Sequence, residues 1–498
     1  MDAEIIEATD RALSGHAGAS IGRTLRRPPV SSCLRLEEIH RTSHQLAAYF
    51  TIGDLRFSTT HWYEDVDLLN LEERYGAEYM EKVYFHIAAF DLNSLTTLGP
   101  DGIDLGKYAR WHTPAFDRLW HAVLRGAFAQ WRYEHDRPYD VGPRFATIPA
   151  PDPVGPVRTR PGAAEVLLLA GGGKDSLVSQ SLLERGGIAY ATFSYSHSVY
   201  GTSATQHDLI RRLVDHGHPR AHHRAWIYDD YLDSPVAKIH PDLDIQHVAA
   251  AETPASVFAS VPLLLEHGYQ YLAVGHERSA NTGNLVWEET GEEINHQWGK
   301  SREAQLLLDR YLREELVDNA GYFSLLEPLH DVAIFNLLRQ DLDPLRDAHS
   351  CNVKKPWCQQ CAKCAYVWLN YLAYLPRENV QALFPDNLFD DDANLLWFRQ
   401  MLSLEAHTPF ECIGEVGEAQ LAFELCRRRG YTGRAMDMYS AQVPHVDTTA
   451  LAEHYLTLDT HETLIPAHLL PRLVPLMQAG AEAGRQHINA TIPADAAA

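Results

Sequence analysis

The chain has 498 residues, 45% of them hydrophobic, with 43 basic against 66 acidic side chains and a formal net charge of −23. That length suits two to four domains with a sizeable core. The acidic balance argues against a nucleic-acid partner, whose phosphate backbone needs clustered Lys and Arg, but leaves room for a small anionic substrate in a local basic pocket.

The N-terminus, MDAEIIEATD, lacks the apolar core of a secretory signal. No apolar run approaches the roughly 18 residues that span a bilayer, so a cytoplasmic protein without a membrane partner is expected. Residues 1–33 are rich in Arg, Ser and Gly and read as a mobile arm. Residues 34–147 read as an N-terminal α+β domain, with strands expected at Ala47–Ile52 and Val83–Ala89. A helix is expected over Pro114–His135, where Phe116, Leu119, Trp120, Val123, Leu124 and Phe128 recur at helical spacing. Five prolines within Ile148–Gly162 mark a stiff linker.

From 163 to 350 strands and helices alternate. Glu165–Ala170 is a continuous apolar run, as in a strand buried on both faces. A helix follows at Ser176–Glu184, then strands at Ile188–Tyr195 and Arg224–Tyr228. A helix at Thr253–Glu266 precedes a strand at Tyr269–Gly275. Such alternation implies an α/β fold with a parallel sheet, whose ligands sit at the carboxyl ends of the strands. Three loops then share one rim: Gly171–Ser176, Ser196–Gly201 and His276–Asn284. The intervening His216, His218, His222 and His223 have no evident carboxylate partner and read as exposed rather than metal-binding. A cysteine segment occupies 351–376, and 377–498 reads as mostly helical, ending in the small-residue tail PADAAA.

The text LLLAGGGKDSLVS is the most informative. Gly171, Gly172 and Gly173 let the backbone approach a phosphate, and the following helix N-terminus offers unpaired N–H groups. Lys174 adds a cation, Asp175 a ligand for Mg²⁺, and Ser176 a cap or phosphate donor. The Walker A pattern fails, because Leu168 stands for its first Gly and Asp175 for its Ser/Thr. GGGKDS instead resembles the SGGKDS signature of the PP-loop ATP pyrophosphatases, with Gly171 for the usual Ser. That resemblance implies ATP cleaved between its α- and β-phosphates, and adenine received by backbone near Tyr195, Ser196 and His197. On the third rim, His276, Glu277, Arg278, Asn281, Asn284, Asn295, His296 and Lys300 supply donors, acceptors and titratable groups fit to line a pocket.

Cys351, Cys358, Cys361 and Cys364 form C-x6-C-x2-C-x2-C, four thiols able to surround a structural Zn²⁺. A redox Cys361/Cys364 pair and inert thiols are the rivals. The spacing is similar to that in deazaguanine nitrile synthases. Cys412, in PFECIGE, is either a buried inert thiol or a proton-transfer group.

Taken together, GGGKDS, GHERSANTGN, INHQWGKS, the Cys351–Leu369 stretch and PFECIGE resemble the MurL family, ATP-dependent UDP-N-acetylmuramoyl-L-alanyl-L-glutamate epimerases. The resemblance runs from about residue 35 to 430. It implies inversion of a terminal L-Glu through an acyl-adenylate, a nucleotide-linked peptide substrate, and ATP with Mg²⁺. Lys174 and Asp175 serve the phosphates. His276, Glu277, His296 and Cys412 are the candidates for proton transfer, and Arg278, Asn281, Asn284, Asn295 and Lys300 for substrate contact. Another PP-loop synthase acting on a small carboxylate, or an ATP sensor without chemistry, are the alternative readings.

Overall fold

The computed structural model describes residues 33–239 and 250–491. The expected arm, Cys33 aside, and the PADAAA tail lie outside them. One ten-stranded sheet runs through both the N-terminal segment and the alternating region. Its strands are β1 (Cys33–Arg41), β2 (Gln45–Ile52), β3 (Leu55–Tyr63), β4 (Gly102–Asp104), β5 (Arg144–Phe145), β6 (Val166–Leu169), β7 (Tyr190–His197), β8 (His222–Asp229), β9 (Tyr271–Val274) and β12 (Gly321–Ser324). The short pair β10 (Leu285–Val286) and β11 (Glu293–Ile294) stands apart.

The order is β12-β9-β6-β7-β8-β3-β2-β1-β4-β5. The first five strands are mutually parallel. Val166, Leu167 and Leu168 of β6 are fully buried, as a central strand covered on both faces requires. β3 then joins β8 antiparallel, with Thr59 opposite Asp229 and Tyr63 opposite Ala225, and carries the β1–β3 meander onto the same sheet.

The helices that concern the site are α1 (Ala77–Asp91), α2 (Pro114–Ala127), α3 (Ala129–Glu134), α4 (Lys174–Arg185), α5 (Ser203–Val214), α6 (Glu252–His267), α7 (Arg302–Tyr311), α8 (Asp331–Leu337), α9 (Ala362–Tyr374), α10 (Val416–Arg428) and α11 (Leu470–Thr491). The strand expected at Val83–Ala89 lies inside α1. Every residue from Val83 to Phe90 is buried, so no polar face betrays the helical period, and the aromatic and β-branched residues imitate a strand. α1 packs on α6, with Phe90 stacked on Phe258 at 4.1 Å between centroids. Val83–Phe90 of α1 and Ser256–Leu265 of α6 are buried at every position. The expected helix 114–135 forms as α2 and α3, broken at Phe128.

The proline-rich stretch is docked on both sides. Buried Lys82 of α1 pairs with Asp152 and donates to the carbonyls of Val154 (2.8 Å) and Glu315 (2.6 Å), while Val157 bridges Val317. A second apolar cluster joins the outer face of β6 and β9 to α4, α8, α9, α10 and α11. Among the described residues no helix is long and apolar enough to cross a membrane.

The histidine stretch is not uniformly exposed. His223 is buried against Asp65 and Tyr269, His216 meets Asp347 at 2.7 Å, and His222 meets Thr192 at 2.7 Å. The carboxylate partners come from distant segments, which spacing along the chain does not reveal.

Candidate active site

Because β9, β6 and β7 are adjacent and parallel, the loops after them meet at one end of the sheet. β6 ends at Leu169, and three residues later Gly172 turns the chain with φ +83°. A Cβ there would lie 2.2 Å from the His349 ring, so glycine is required twice over, for conformation and for space. Gly173 is the N-cap of α4, and a Cβ on it would meet Ser350 Oγ at 2.9 Å. Gly171 differs: a Cβ there meets nothing within 4 Å, so the serine of the common signature would fit. Ser176 Oγ folds back to accept from the Gly171 N–H at 3.0 Å.

Lys174 points inward. Its ammonium is 1% exposed and touches Asp175 Oδ1 at 2.6 Å and Asp331 Oδ1 at 2.5 Å, with the Phe335 ring 5.1 Å away. Burial disfavours the charge, but the carboxylates of Asp175, Asp331 and Glu277 outweigh it and hold Lys174 protonated. Asp331, at the start of α8, was invisible in the sequence. Burial pushes its carboxyl up to about 6, against the pull of Lys174. A lone acid opening a helix after the last parallel strand was its one available signal.

The loop after β9 begins with Gly275, whose missing Cβ leaves room for the Asp175 backbone and Ser179. Glu277 is 3% exposed. Burial raises its pKa, yet Lys174, Lys300 and Lys363 together bring it down to about 2. His276 is driven the other way, to about 3, by burial and by Lys300, which leaves a neutral and weakly basic imidazole. Lys300 is held charged by Cys412 and Glu277 despite burial.

Cys412 completes the constellation. Burial alone would raise its pKa, but Lys300, the adjacent His296 and Lys363 lower the thiol to about 7. The ligating atoms of His296, Glu411 and Cys412 lie within 4.8 Å of one another. His296 is in turn raised, burial being overcome by Cys412 and Glu411. Its Nδ1 meets Gln130 Oε1 of α3 at 2.6 Å, a contribution from the N-terminal segment that the sequence did not disclose. Lys363, in the first turn of α9, donates to the Cys412 carbonyl.

Three residues expected at the substrate are engaged in bracing the loops. Asn281 links the Arg278 carbonyl to the Arg302 N–H, and Asn284 links Thr408 and Pro409 to the His296 N–H. Asn295 links the Ala280 carbonyl to the Gln297 N–H. Arg278 pairs with Asp459 at 2.8 Å. Tyr195 and His197, with Glu252, line a cavity of about 50 Å³ that also includes Asn93, whose buried amide has neither its nitrogen nor its oxygen paired. Ser196 is buried within the strand pairing of β7 with β8.

The family model described as the MurL C-terminal domain matches residues 346–453, and that of the MurL N-terminal domain matches 251–325. Over these two stretches the chain is similar to the MurL family. Three relatives carry the name UDP-N-acetyl-alpha-D-muramoyl-L-alanyl-L-glutamate epimerase. The one from Micromonospora sp. is 32% identical over 272 residues, 52% of this chain and 56% of the relative. That from Salinispora tropica is 29% identical over 327 residues, 63% and 66%. That from Xanthomonas oryzae pv. oryzae is 29% identical over 278 residues, 53% and 57%. The chain thus spans little more than half the length of two of these relatives and just under two thirds of the third. No solved structure matches. The two MurL domain models cover Glu277, His296, Lys300, the four clustered cysteines and Cys412, while the glycine loop lies outside both ranges.

The four cysteines converge. Their sulfurs all lie within 4.8 Å of one another, with Cys351 to Cys361 and Cys358 to Cys364 each at 3.8 Å. Backbone N–H groups of Lys354, Gln360 and Cys364 donate to Cys351, Cys358 and Cys361. Cys361 is itself the N-cap of α9.

Proposed function

We propose that this chain is an ATP-dependent epimerase that inverts the terminal L-Glu of UDP-N-acetylmuramoyl-L-Ala-L-Glu or a closely related peptide. The observation that carries the reading is the unbroken series of interacting charges from the glycine loop to a thiol: Lys174, Glu277, Lys300, Cys412, His296. It joins a phosphate-binding strand–loop–helix to a sulfur whose pKa, about 7, suits a general base at neutral pH.

The α-proton beside an ionised carboxylate is hardly acidic, because its removal builds a second negative charge next to the first. Transfer of AMP to that carboxylate, with pyrophosphate leaving, removes the charge and lets the carbanion delocalise as an enolate. Cys412 as thiolate accepts the α-proton, and Lys300 and the N–H groups of the loops offset the developing oxyanion charge. Return of a proton to the opposite face, followed by hydrolysis of the acyl-adenylate, gives D-Glu and AMP. His296, its pKa raised beside the sulfur, is the partner that stabilises the Cys412 thiolate on that face rather than the donor on the other. His276 is too weak a base for either step and is assigned to hydrogen bonding.

For the nucleotide, the open space at Gly171 and the N-terminus of α4 suit the phosphates. The free amide of Asn93 offers a donor and an acceptor to a heterocyclic base in the cavity beside Tyr195. Asp175 is the available carboxylate for Mg²⁺, which would supply charge neutralisation at the phosphates. The four cysteines fit a structural zinc, because their convergence and the N–H···S bonds are the arrangement that such thiolates need.

The deciding experiment is turnover in D₂O with ATP and the UDP-linked dipeptide. Epimerisation yields AMP, pyrophosphate, and D-Glu deuterated at Cα. AMP formation with Glu left L and protonated at Cα would remove the epimerase reading in favour of a carboxylate-activating synthase. ADP and phosphate would remove the PP-loop chemistry itself.

A further inference from the structure

Away from the catalytic rim, at the opposite end of the sheet, three potential ligands from separate segments converge. Asp65 follows β3, His223 opens β8 and His267 closes α6. One ligating atom from each lies within 4.8 Å of the others. His223 Nδ1 is hydrogen-bonded to Asp65 Oδ2, and His267 Nε2 lies 3.8 Å from the same oxygen. The two imidazoles stack at 4.3 Å between centroids.

Two details separate this cluster from an ordinary buried Asp–His pair. First, His267 Nε2 is buried and has no hydrogen-bond partner, although it faces a carboxylate. A buried nitrogen left without a partner is destabilising, so the position calls for an occupant. Second, the far nitrogen of His223, Nε2, is held by the Tyr269 hydroxyl at 2.5 Å. A carboxylate can only accept, so Nδ1 carries the proton shared with Asp65 and Nε2 accepts from the Tyr269 hydroxyl; a bound cation would take that proton's place on Nδ1, with Nε2 then donating to the tyrosine oxygen. A ring held through its remote nitrogen is the usual support of a metal-ligating histidine. The neighbouring cations do not compete for the carboxylate: Arg224 is paired with Glu64, and Arg74 with Glu266 at 3.2 Å.

We propose that Asp65, His223 and His267 bind a divalent transition-metal ion, with zinc the best fit, and thereby clamp the N-terminal meander to the parallel sheet. Two imidazoles and one carboxylate with a fourth position for water are a common zinc ligand set. Nitrogens sharing a tetrahedral zinc lie about 3.3 Å apart, so the observed cluster needs shifts of an ångström or so to close. In the parallel register of β7 with β8, His223 pairs with Phe193, four residues before the strand end at His197. It therefore sits about 13 Å from the rim where the substrate would bind, and the ion has a structural role.

Untagged full-length protein, purified in zinc and freed of loose metal, is titrated with Zn²⁺ by calorimetry, and in parallel with Co²⁺. One further equivalent is expected beyond the metal already held by the cysteines. Its cobalt spectrum should show ligand-field bands without thiolate charge transfer. Asp65→Asn and His267→Ala, both at partly exposed positions, should each weaken this equivalent by more than about 10-fold. Tyr269→Phe should weaken it by about 10-fold through loss of the ring's support. His296→Ala should leave it unchanged. The proposal is overturned if no further equivalent binds at saturating zinc, if His267→Ala binds like the parent, or if His296→Ala abolishes the signal, which would move the ion to the trio of His296, Glu411 and Cys412.

Discussion

The two ends of the candidate rim hold buried charge in different ways. At the glycine loop, Lys174 is locked between Asp175 and Asp331, each fixed at the start of a helix. At the thiol end, Cys412, His296 and Lys300 come from irregular loops braced by asparagine amides and by Gln130. The first arrangement keeps the Lys174 ammonium charged well beyond its ordinary range. The second holds a thiol at about 7 beside an imidazole whose pKa is raised. Fixed electrostatics suits phosphate chemistry, whereas a proton carrier must change state at working pH.

The largest effect should break the thiol end alone. Cys412→Ala is expected to lower Cα hydrogen exchange by about 10²–10⁴-fold while pyrophosphate release persists. Loss of both activities in parallel would show that the two ends do not divide the labour. Lys174→Ala should instead reduce pyrophosphate release by about 10²-fold or more, with exchange falling alongside because activation precedes it. Measurement of both rates on each variant separates the cases.

The pH dependence sharpens the contrast. A thiol lowered to about 7 is a thiolate above that pH and a thiol below it, so exchange should fall as pH drops through about 7. Lys300→Met removes the chief lowering influence and should move this limb to higher pH, while leaving the pH profile of pyrophosphate release nearer the parent's. A limb that stays put would deny Lys300 its role.

Smaller effects are expected away from the reacting atoms. Protein purified in zinc should hold metal at the four cysteines, and Cys358→Ser should lower Tm by roughly 5 °C with nucleotide affinity little changed. Mass spectrometry of native protein and a melting curve check both. The smallest effect is at Gly171→Ser, where open space predicts a stability change within about 0.5 kcal/mol. Gly172→Ser, at φ +83° against His349, should be destabilising by about 1–3 kcal/mol in the same assay.

The same contrast explains what could be read from the sequence. β6 and its loop were legible because strand, glycines, Lys174 and helix are contiguous. The four cysteines were legible because they fall within fourteen residues. Asp331, Gln130 and His349 were not, since each is a single unremarkable residue brought in by tertiary packing. Asn281, Asn284 and Asn295 were noticed as polar residues, but polarity cannot tell a ligand contact from a loop brace. Val83–Ala89 misled because a helix buried on every face loses the period that identifies it.

The contact between Gln130 and His296 has a directional consequence. Gln130 Nε2 donates to Glu134 Oε1 at 2.9 Å, so its amide cannot turn over, and its oxygen must face the imidazole. Nδ1 is therefore the nitrogen that keeps its hydrogen, and Nε2 alone is left to trade one with its surroundings. The ring behaves as a one-way valve set by a helix of the N-terminal segment, some 160 residues upstream in the chain. Glu134, though remote from sulfur, thereby fixes which nitrogen of His296 carries the hydrogen.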